Sequence, residues 1–203
     1  MKLHTVFITY NRLELTKRAI ASYEETTSPT HTFCVVDNAS SDGTQRWIAR
    51  NFGNFHLLKE NLYPGYAANL GWSLLDEDVT HLHRADNDFI FLPGWCDQVE
   101  RGFVSSKVGQ LGLRTNKEEL NAPFNVGGNC VIRRELWDQG LRWDERPWTE
   151  LGGTTEDYYM SQAVNAMGYQ WTRVTKPCIQ PISVESADDE YYRQSWTVRG
   201  IKF

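Results

Sequence analysis

The apolar residues of this chain fall in short β-rich runs separated by stretches with helical spacing. LHTVFIT (3–9) is the first run, and NRLELTKRAIASYEE follows with Leu13, Ile20 and Tyr23 on one helical face. Asn11, with Glu14 three residues on, has the form of a capping box. TFCVVD (32–37) predicts a second buried strand. It ends in the turn residues NASSDGT, before a short helix around Trp47 and Ile48. FHLLK (55–59) predicts a third strand, GYAANLGWSLLDE (65–77) a helix with small residues on one side, and VTHLHRAD (79–86) a fourth strand. GWCDQVERGF (94–103) then brings Trp95, Val99 and Phe103 into helical step.

The second half is less regular. QLGLRT (110–115) and VGGNCVIRREL (126–136) predict strands, the latter running into a short helix, with the polar stretch TNKEELNAPFN between them as a mobile loop. EDYYMSQAVNAMG (156–168) predicts a helix with Met160, Ala163, Val164 and Met167 as its apolar stripe and Gly168 placed to end it. YQWTRVTKP reads as a last strand, and the tail from about Gln180 is acidic, then aromatic. Strands alternating with helices imply βαβ units and a largely parallel sheet. With no repeat and no linker, the 203 residues read as one domain, with a change of regularity near residue 92 and a tail over 181–203.

Composition narrows the class. A 40% apolar fraction is enough for a core, and a net charge of −5 with a pI near 5.6 argues against a dedicated phosphate-backbone binder. Cys34, Cys96, Cys130 and Cys178 form no CxxC pair and read as reduced thiols of a cytoplasmic protein. The N-terminal apolar run is too short for a signal peptide, and no segment approaches the ~18 apolar residues of a membrane span. A membrane-linked substrate would therefore be met at the surface.

In an open parallel sheet, ligands bind beyond the carboxyl ends of the strands. Three polar motifs fall at such ends: TYNR after the first strand, DNASSDGT after the second and DND after the fourth. Each has an ordinary structural reading. Asn11 can cap a helix. Asp37 can form an Asx turn into Ser40 and Asp42, or accept from a donor-rich group such as the imide of a uracil. Asp86 and Asp88, taken alone, read more readily as an acidic turn than as hard oxygen ligands for Mg²⁺ or Mn²⁺. Thr154 with Asp157 has the form of a second capping box, or else holds a general base at a rigid helix start. Glu156 and Asp157 are expected to point to different faces, so that only one need enter a site. Trp148, in the polar loop DERPWTELGG, can stack on a sugar or base or plug the loop onto the core. His81 and His83 share a strand face and read as edge or core histidines. No P-loop and no Gly-x-Gly-x-x-Gly is present.

The ordered set FITYNR, VVDNASSDGT, NLYPGYAANLG, RADNDFIFLPGW, GGNCVIRREL and TEDYYMSQAVNAMGY resembles the family 2 glycosyltransferases, over about residues 3–175. The resemblance implies a GT-A type (Rossmann-like) α/β fold, a mixed, mostly parallel sheet flanked by helices. It implies a nucleotide-sugar donor, most often UDP-linked, and inversion at the anomeric carbon, with a nucleotide-binding half over about 1–92, an acceptor and catalytic half over about 93–180 and a C-terminal tail over 181–203. Thr9, Tyr10, Asn11, Arg12, Asp37, Asn38 and Gly65 would serve the donor, together with Asp86 and Asn87. Asp88 would coordinate Mn²⁺ or Mg²⁺, with Asp86 near the ribose or the metal. Asp157 matches the family's catalytic base, while Gly128, Asn129, Trp148 and Glu156 would line the donor sugar and acceptor. Tyr63-Pro64 departs from the family pattern, and the Q-x-x-R-W segment and membrane helices of processive synthases are missing, which favours single transfer over polymerisation. A glycan or glycolipid acceptor is expected, with peripheral membrane contact if it is lipid-linked. A hydroxylated nucleic-acid base or a protein is the alternative acceptor, so nucleic acid is not excluded as a partner. A sugar-phosphate nucleotidyltransferase or a silent nucleotide-sugar-binding module is the alternative function.

Overall fold

A computed structural model describes residues 1–73, 75–115, 124–152 and 154–182. The polar stretch 116–123 and the tail from 183 lie outside the described residues.

The first half alternates as expected. Strand β1 (Leu3–Thr9) leads to helix α1 (Leu13–Thr26), β2 (Thr32–Asp37) to α2 (Thr44–Asn51), β3 (Phe55–Leu57) to α3 (Tyr63–Trp72), and then β4 (His81–Asp86). An element without a counterpart among the predicted runs follows: FIF forms a strand of its own, β5 (Phe89–Phe91), before α4 (Trp95–Gly102). The second half supplies β6 (Val108–Gly112), β7 (Cys130–Arg133), α5 (Arg134–Asp138), a 3₁₀ turn (Trp148–Glu150), α6 (Glu156–Ala166), β8 (Gln170–Arg173) and β9 (Ile179–Pro181).

Seven strands form one sheet in the order β3-β2-β1-β4-β7-β6-β8, parallel except for β7, which is antiparallel to both its neighbours. The sheet is thus mixed and mostly parallel. β5 and β9 pair antiparallel as a separate two-stranded ribbon. Its second strand carries too few apolar residues to announce itself in sequence.

Both faces of the sheet are covered, so β1 is apolar on both sides. Leu3 and Phe7 pack with Ala19, Ile20 and Tyr23 of α1, Ile48 of α2, and Trp95 and Val99 of α4. Val6 and Ile8 face the opposite layer, with Ala67, Ala68 and Trp72 of α3, Leu136 of α5, and Met160 and Val164 of α6. The small stripe of α3 is required by proximity: a Cβ on Gly71 would overlap both methyls of Val6. Gly168, at φ +85°, ends α6 as its sequence position implied, with Tyr169 N–H reaching back to the Val164 carbonyl. His83 is a core residue, its ring bonded to Thr5 at 3.0 Å and packed on Phe91 and Trp95. His81 is likewise buried, its ring 4.5 Å from that of Phe103. Among the described residues no helix is long and apolar enough to cross a membrane, and all four cysteines are free thiols.

Candidate active site

The register brings three polar strand ends to one edge. Thr9 lies beside Asp37 across β1 and β2, and Ile8 lies beside Asp86 across β1 and β4. The loops that leave these ends hold unusual backbone. Among the described residues, the non-glycine residues at positive φ are Asn11 (56°), Arg12 (64°), Ala39 (69°) and Tyr63 (67°). All four lie at the carboxyl edge, in the loops before α1 and α2 and at the first residue of α3, where left-handed backbone is held by its surroundings.

Those surroundings are a hydrogen-bond network. Thr9 Oγ1 donates to Asp37 Oδ2 at 2.8 Å, and Ser40 donates to the same carboxylate through its N–H and its hydroxyl. The Asx-turn reading of Asp37 therefore holds, and its fully buried carboxylate organises the loop instead of facing the cleft. The expected Asn11–Glu14 capping box does not form. Asn11 Oδ1 accepts from Ser41 N–H at 2.8 Å, and Asp42 caps the helix by accepting from Leu13 N–H at 2.9 Å. Positive φ at Asn11 and Arg12 turns the chain toward the second loop, which supplies the cap from 29 residues away. Asn38 Oδ1 accepts from Leu62 N–H at 2.8 Å, and Asn87 Nδ2 donates to Thr16 Oγ1 at 2.9 Å and to the Asn11 carbonyl at 3.2 Å.

The cleft beside this network gathers acid from both halves of the chain. It is lined by Tyr10, Arg12, Asn38, Asp86, Asn87 and Asp88 from the first half, and by Trp148, Glu156 and Asp157 from the second. Arg84, buried on β4, joins the two sets. Its Nη2 lies 3.0 Å from Glu156 Oε1 and 3.4 Å from Asp86 Oδ1, and its Nη1 lies 3.1 Å from Asp157 Oδ1. Desolvation disfavours the guanidinium charge there, but Asp86, Glu156 and Asp157 together outweigh it and raise its pKa. Desolvation also raises the Asp86 carboxyl above the usual carboxylate range; Arg84 pulls it back, while Asp88 and Glu156 push it up again. Arg12 Nη1 meets Asp88 Oδ2 at 3.1 Å.

Two expectations for α6 are corrected by Arg84. Thr154 and Asp157 form no capping box: Thr154 Oγ1 donates to the Leu151 carbonyl, and Asp157 turns to Arg84. Glu156 and Asp157 do not divide between site and exterior. Consecutive residues of a helix diverge, but the two Nη atoms of one guanidinium reach both. Trp148 then donates Nε1–H to Glu156 Oε2 at 2.9 Å and meets the Tyr63 ring edge-on at 5.9 Å between centroids.

Not every predicted residue faces the cleft. Thr9 and Asp37 are buried in the loop network beneath it. Gly65 packs α3 against the chain at 144, where a Cβ would overlap the Asp144 carbonyl oxygen. Gly128 and Asn129 back the acidic cluster from β7's approach. A Cβ on Gly128 would stand 2.7 Å from Arg84 Nη2, and Asn129 Nδ2 donates to Asp86 Oδ2 at 2.9 Å. Arg84, Asp42 and Tyr63 were missed as site residues. For Arg84 a signal existed: a charged residue inside an otherwise buried strand requires partners.

The donor set suits a hard divalent cation. Asp86 and Asp88 offer oxygen ligands within a cluster where four carboxylates face two arginines. Among the described residues no group of three or more His, Cys, Asp or Glu could hold a metal by itself. A cation held by Asp86 and Asp88 would need further oxygen ligands from outside the described residues' His, Cys, Asp and Glu to complete its shell.

Comparisons with known proteins bear on the fold and the family. Residues 5–104 match the model of glycosyl transferase family 2. No curated protein matches the chain. Among solved structures, the mannosyltransferase PcManGT from Pyrobaculum calidifontis, in complex with GDP-Man and Mn²⁺, is similar at a TM-score of 0.70 and 18% identity, over 98% of this chain and 60% of that one. S. aureus TarS 1-349 is similar at 0.70 and 16%, over 98% and 64%. Its complex with UDP-GlcNAc is similar at 0.69 and 15%, over 88% and 58%. The chain spans about three fifths of the length of these structures. Sequence match and structural likeness meet on one class: this chain has the GT-A fold, and its first half matches glycosyl transferase family 2.

Proposed function

We propose that the protein is an inverting glycosyltransferase that moves one sugar from a nucleotide sugar to an acceptor hydroxyl. The observation that carries this reading is the convergence of Asp86 and Asp88, from the end of β4, with Asp157, from the start of α6, on one cleft. One pair serves the leaving group and the other acid serves the nucleophile.

In this reading Tyr10, Arg12, Asn38 and Asn87 face the nucleotide. Asp88, with Asp86 behind it, would hold Mn²⁺ or Mg²⁺; when bound, such an ion neutralises charge developing on the leaving diphosphate. Asp157 accepts the proton of the acceptor hydroxyl as its oxygen bonds to the anomeric carbon, and the bond from that carbon to the diphosphate oxygen breaks. The electron pair leaves with the nucleoside diphosphate, and the configuration inverts. Trp148, Glu156 and Gly128 line the acceptor side. The similar structures bind GDP-Man or UDP-GlcNAc, so a UDP- or GDP-linked sugar is the donor class to test first, with a glycan or glycolipid hydroxyl as acceptor. The free cysteines fit a reducing, cytoplasmic setting.

The test is hydrolysis of nucleotide sugars in the absence of acceptor. Asp157→Asn should retain donor binding and lose turnover by about 100-fold or more. Wild-type rates in that variant would remove Asp157 as base. Full activity after exhaustive EDTA treatment would remove the metal role, and pyrophosphate release from nucleoside triphosphates with a sugar phosphate would point to nucleotidyl transfer instead.

A further inference from the structure

We propose that Arg84 is the positioning residue of this site, a single guanidinium that sets the separation between the donor-side carboxylate Asp86 and the acceptor-side base Asp157. This rests on the glycosyl-transfer reading above and deepens it.

The two halves of the site come from distant parts of the chain. Asp86 is fixed by the last residues of β4, and Asp157 by the first turn of α6, 71 residues later. Neither helix capping nor the sheet register sets the distance between them. Arg84 does so directly, with its Nη1 on Asp157 at 3.1 Å and its Nη2 on Asp86 at 3.4 Å. The guanidinium is itself immobilised. Its side chain is 4% exposed, its charge is shared with Glu156 at 3.0 Å, it lies 4.6 Å from the Trp143 ring, and Gly128 leaves room for it by lacking a Cβ.

The planar fork matters as much as the charge. A lysine ammonium is a point charge on a flexible stem and does not hold three carboxylates in one fixed geometry. Glu156 has a separate part: it anchors Trp148, so the same guanidinium also orients the aromatic wall through one intermediate carboxylate. A base displaced by about 1 Å from its acceptor proton can lose about 100-fold in rate while ground-state binding is little changed. Loss of the fork should therefore appear in kcat and not in the donor KM.

The experiment compares wild type, Arg84→Lys, Arg84→Gln, Asp157→Asn and the double variant R84K/D157N. Each is assayed for hydrolysis of UDP-GlcNAc, UDP-glucose and GDP-mannose with Mn²⁺ present, and its folding is checked by thermal unfolding. R84Q removes the cation that three acids share and is expected to lose stability; R84K keeps the charge and carries the test. R84K should fold and keep the donor KM within about threefold, with kcat down about 100-fold. R84K/D157N should be no slower than D157N alone, because the two residues act as a unit. Should R84K unfold, Gly128→Ala crowds the same guanidinium, and the Asp86 carboxylate beside it, with the charge intact and should show the same kcat loss. An R84K or, in its place, a G128A enzyme with wild-type kcat overturns the inference alone. So does a double variant whose losses multiply. A wild type that turns over no nucleotide sugar removes the proposed function and the inference with it.

Discussion

Asn129 and Asp86 grip each other reciprocally: Asn129 Nδ2 donates to the Asp86 carboxylate at 2.9 Å, and Asp86 N–H donates to Asn129 Oδ1 at 3.0 Å. The pair ties the mouth of β7 to the end of β4 and aims the carboxylate into the cleft. Asn129→Ala removes both bonds, so a stability loss of about 1–2 kcal/mol is expected in urea unfolding. Donor affinity, measured by titrating UDP or GDP with Mn²⁺, should fall about tenfold, as for loss of a group supporting a metal ligand. Asn129→Asp, which sets a second carboxylate against Asp86, should weaken it further.

Gly65 allows α3 to lie against the backbone at Asp144. A methyl there meets a carbonyl that cannot swing aside, so Gly65→Ala should destabilise the fold by about 3 kcal/mol. Gly53 is the control, since a Cβ there meets nothing within 4 Å and Gly53→Ala should be near neutral. Midpoints of thermal unfolding for the two variants decide the matter. Equal midpoints would mean that the α3 approach tolerates a side chain.

Trp148 donates Nε1–H to the buried carboxylate of Glu156. Trp148→Phe keeps an aromatic ring but leaves Glu156 Oε2 without that donor. A loss of about 1.5–3 kcal/mol is the ordinary consequence for a hydrogen bond to a charged group. We expect acceptor-dependent transfer to fall more than acceptor-free hydrolysis, because the ring walls the acceptor side. Equal losses in the two assays would place Trp148 in support of Glu156 alone.

His83 makes the fold acid-sensitive. Burial lowers its pKa from 6.5 to about 3, so between those values the unfolded chain binds a proton that the folded chain refuses. Stability therefore rises with pH across this window and is lost as pH falls through it, at up to about 1.4 kcal/mol per pH unit for one such group. His83→Gln retains a polar partner for Thr5 and removes the titration, so its stability should fall less steeply between pH 6.5 and 4 than that of wild type. Burial also lowers the pKa of His4, His31 and His81, which leave a residual slope.

Much of the fold could be read in the residues. β1 and β2 are largely apolar runs ended by polar turns, which follows from burial on two faces, whereas the buried β4 carries His81, His83 and Arg84 and was legible mainly from its place in the alternation. α1, α4 and α6 show helical spacing because each has one covered face. The β5–β9 ribbon escaped because Ile179–Pro181 has too little apolar pattern to read and its partner Phe89–Phe91 is remote in sequence. Both capping boxes were misread for a related reason: Asn11 and Asp157 have the right spacing for a local bond, but Ser41 and Arg84, remote in sequence, bind them instead.

By itself the sequence determined the alternation of elements, the edge of the sheet to which the polar loops belong, and the acids that face it. These are local properties, set by burial pattern and turn chemistry within a dozen residues. Only the tertiary structure decided which of those acids meet. Asp37 turns inward onto Thr9 and Ser40, while Asp86, Glu156 and Asp157 close around Arg84. The reason is electrostatic: a buried guanidinium must be compensated wherever the fold brings carboxylates within reach, and that reach crosses more than seventy residues of chain.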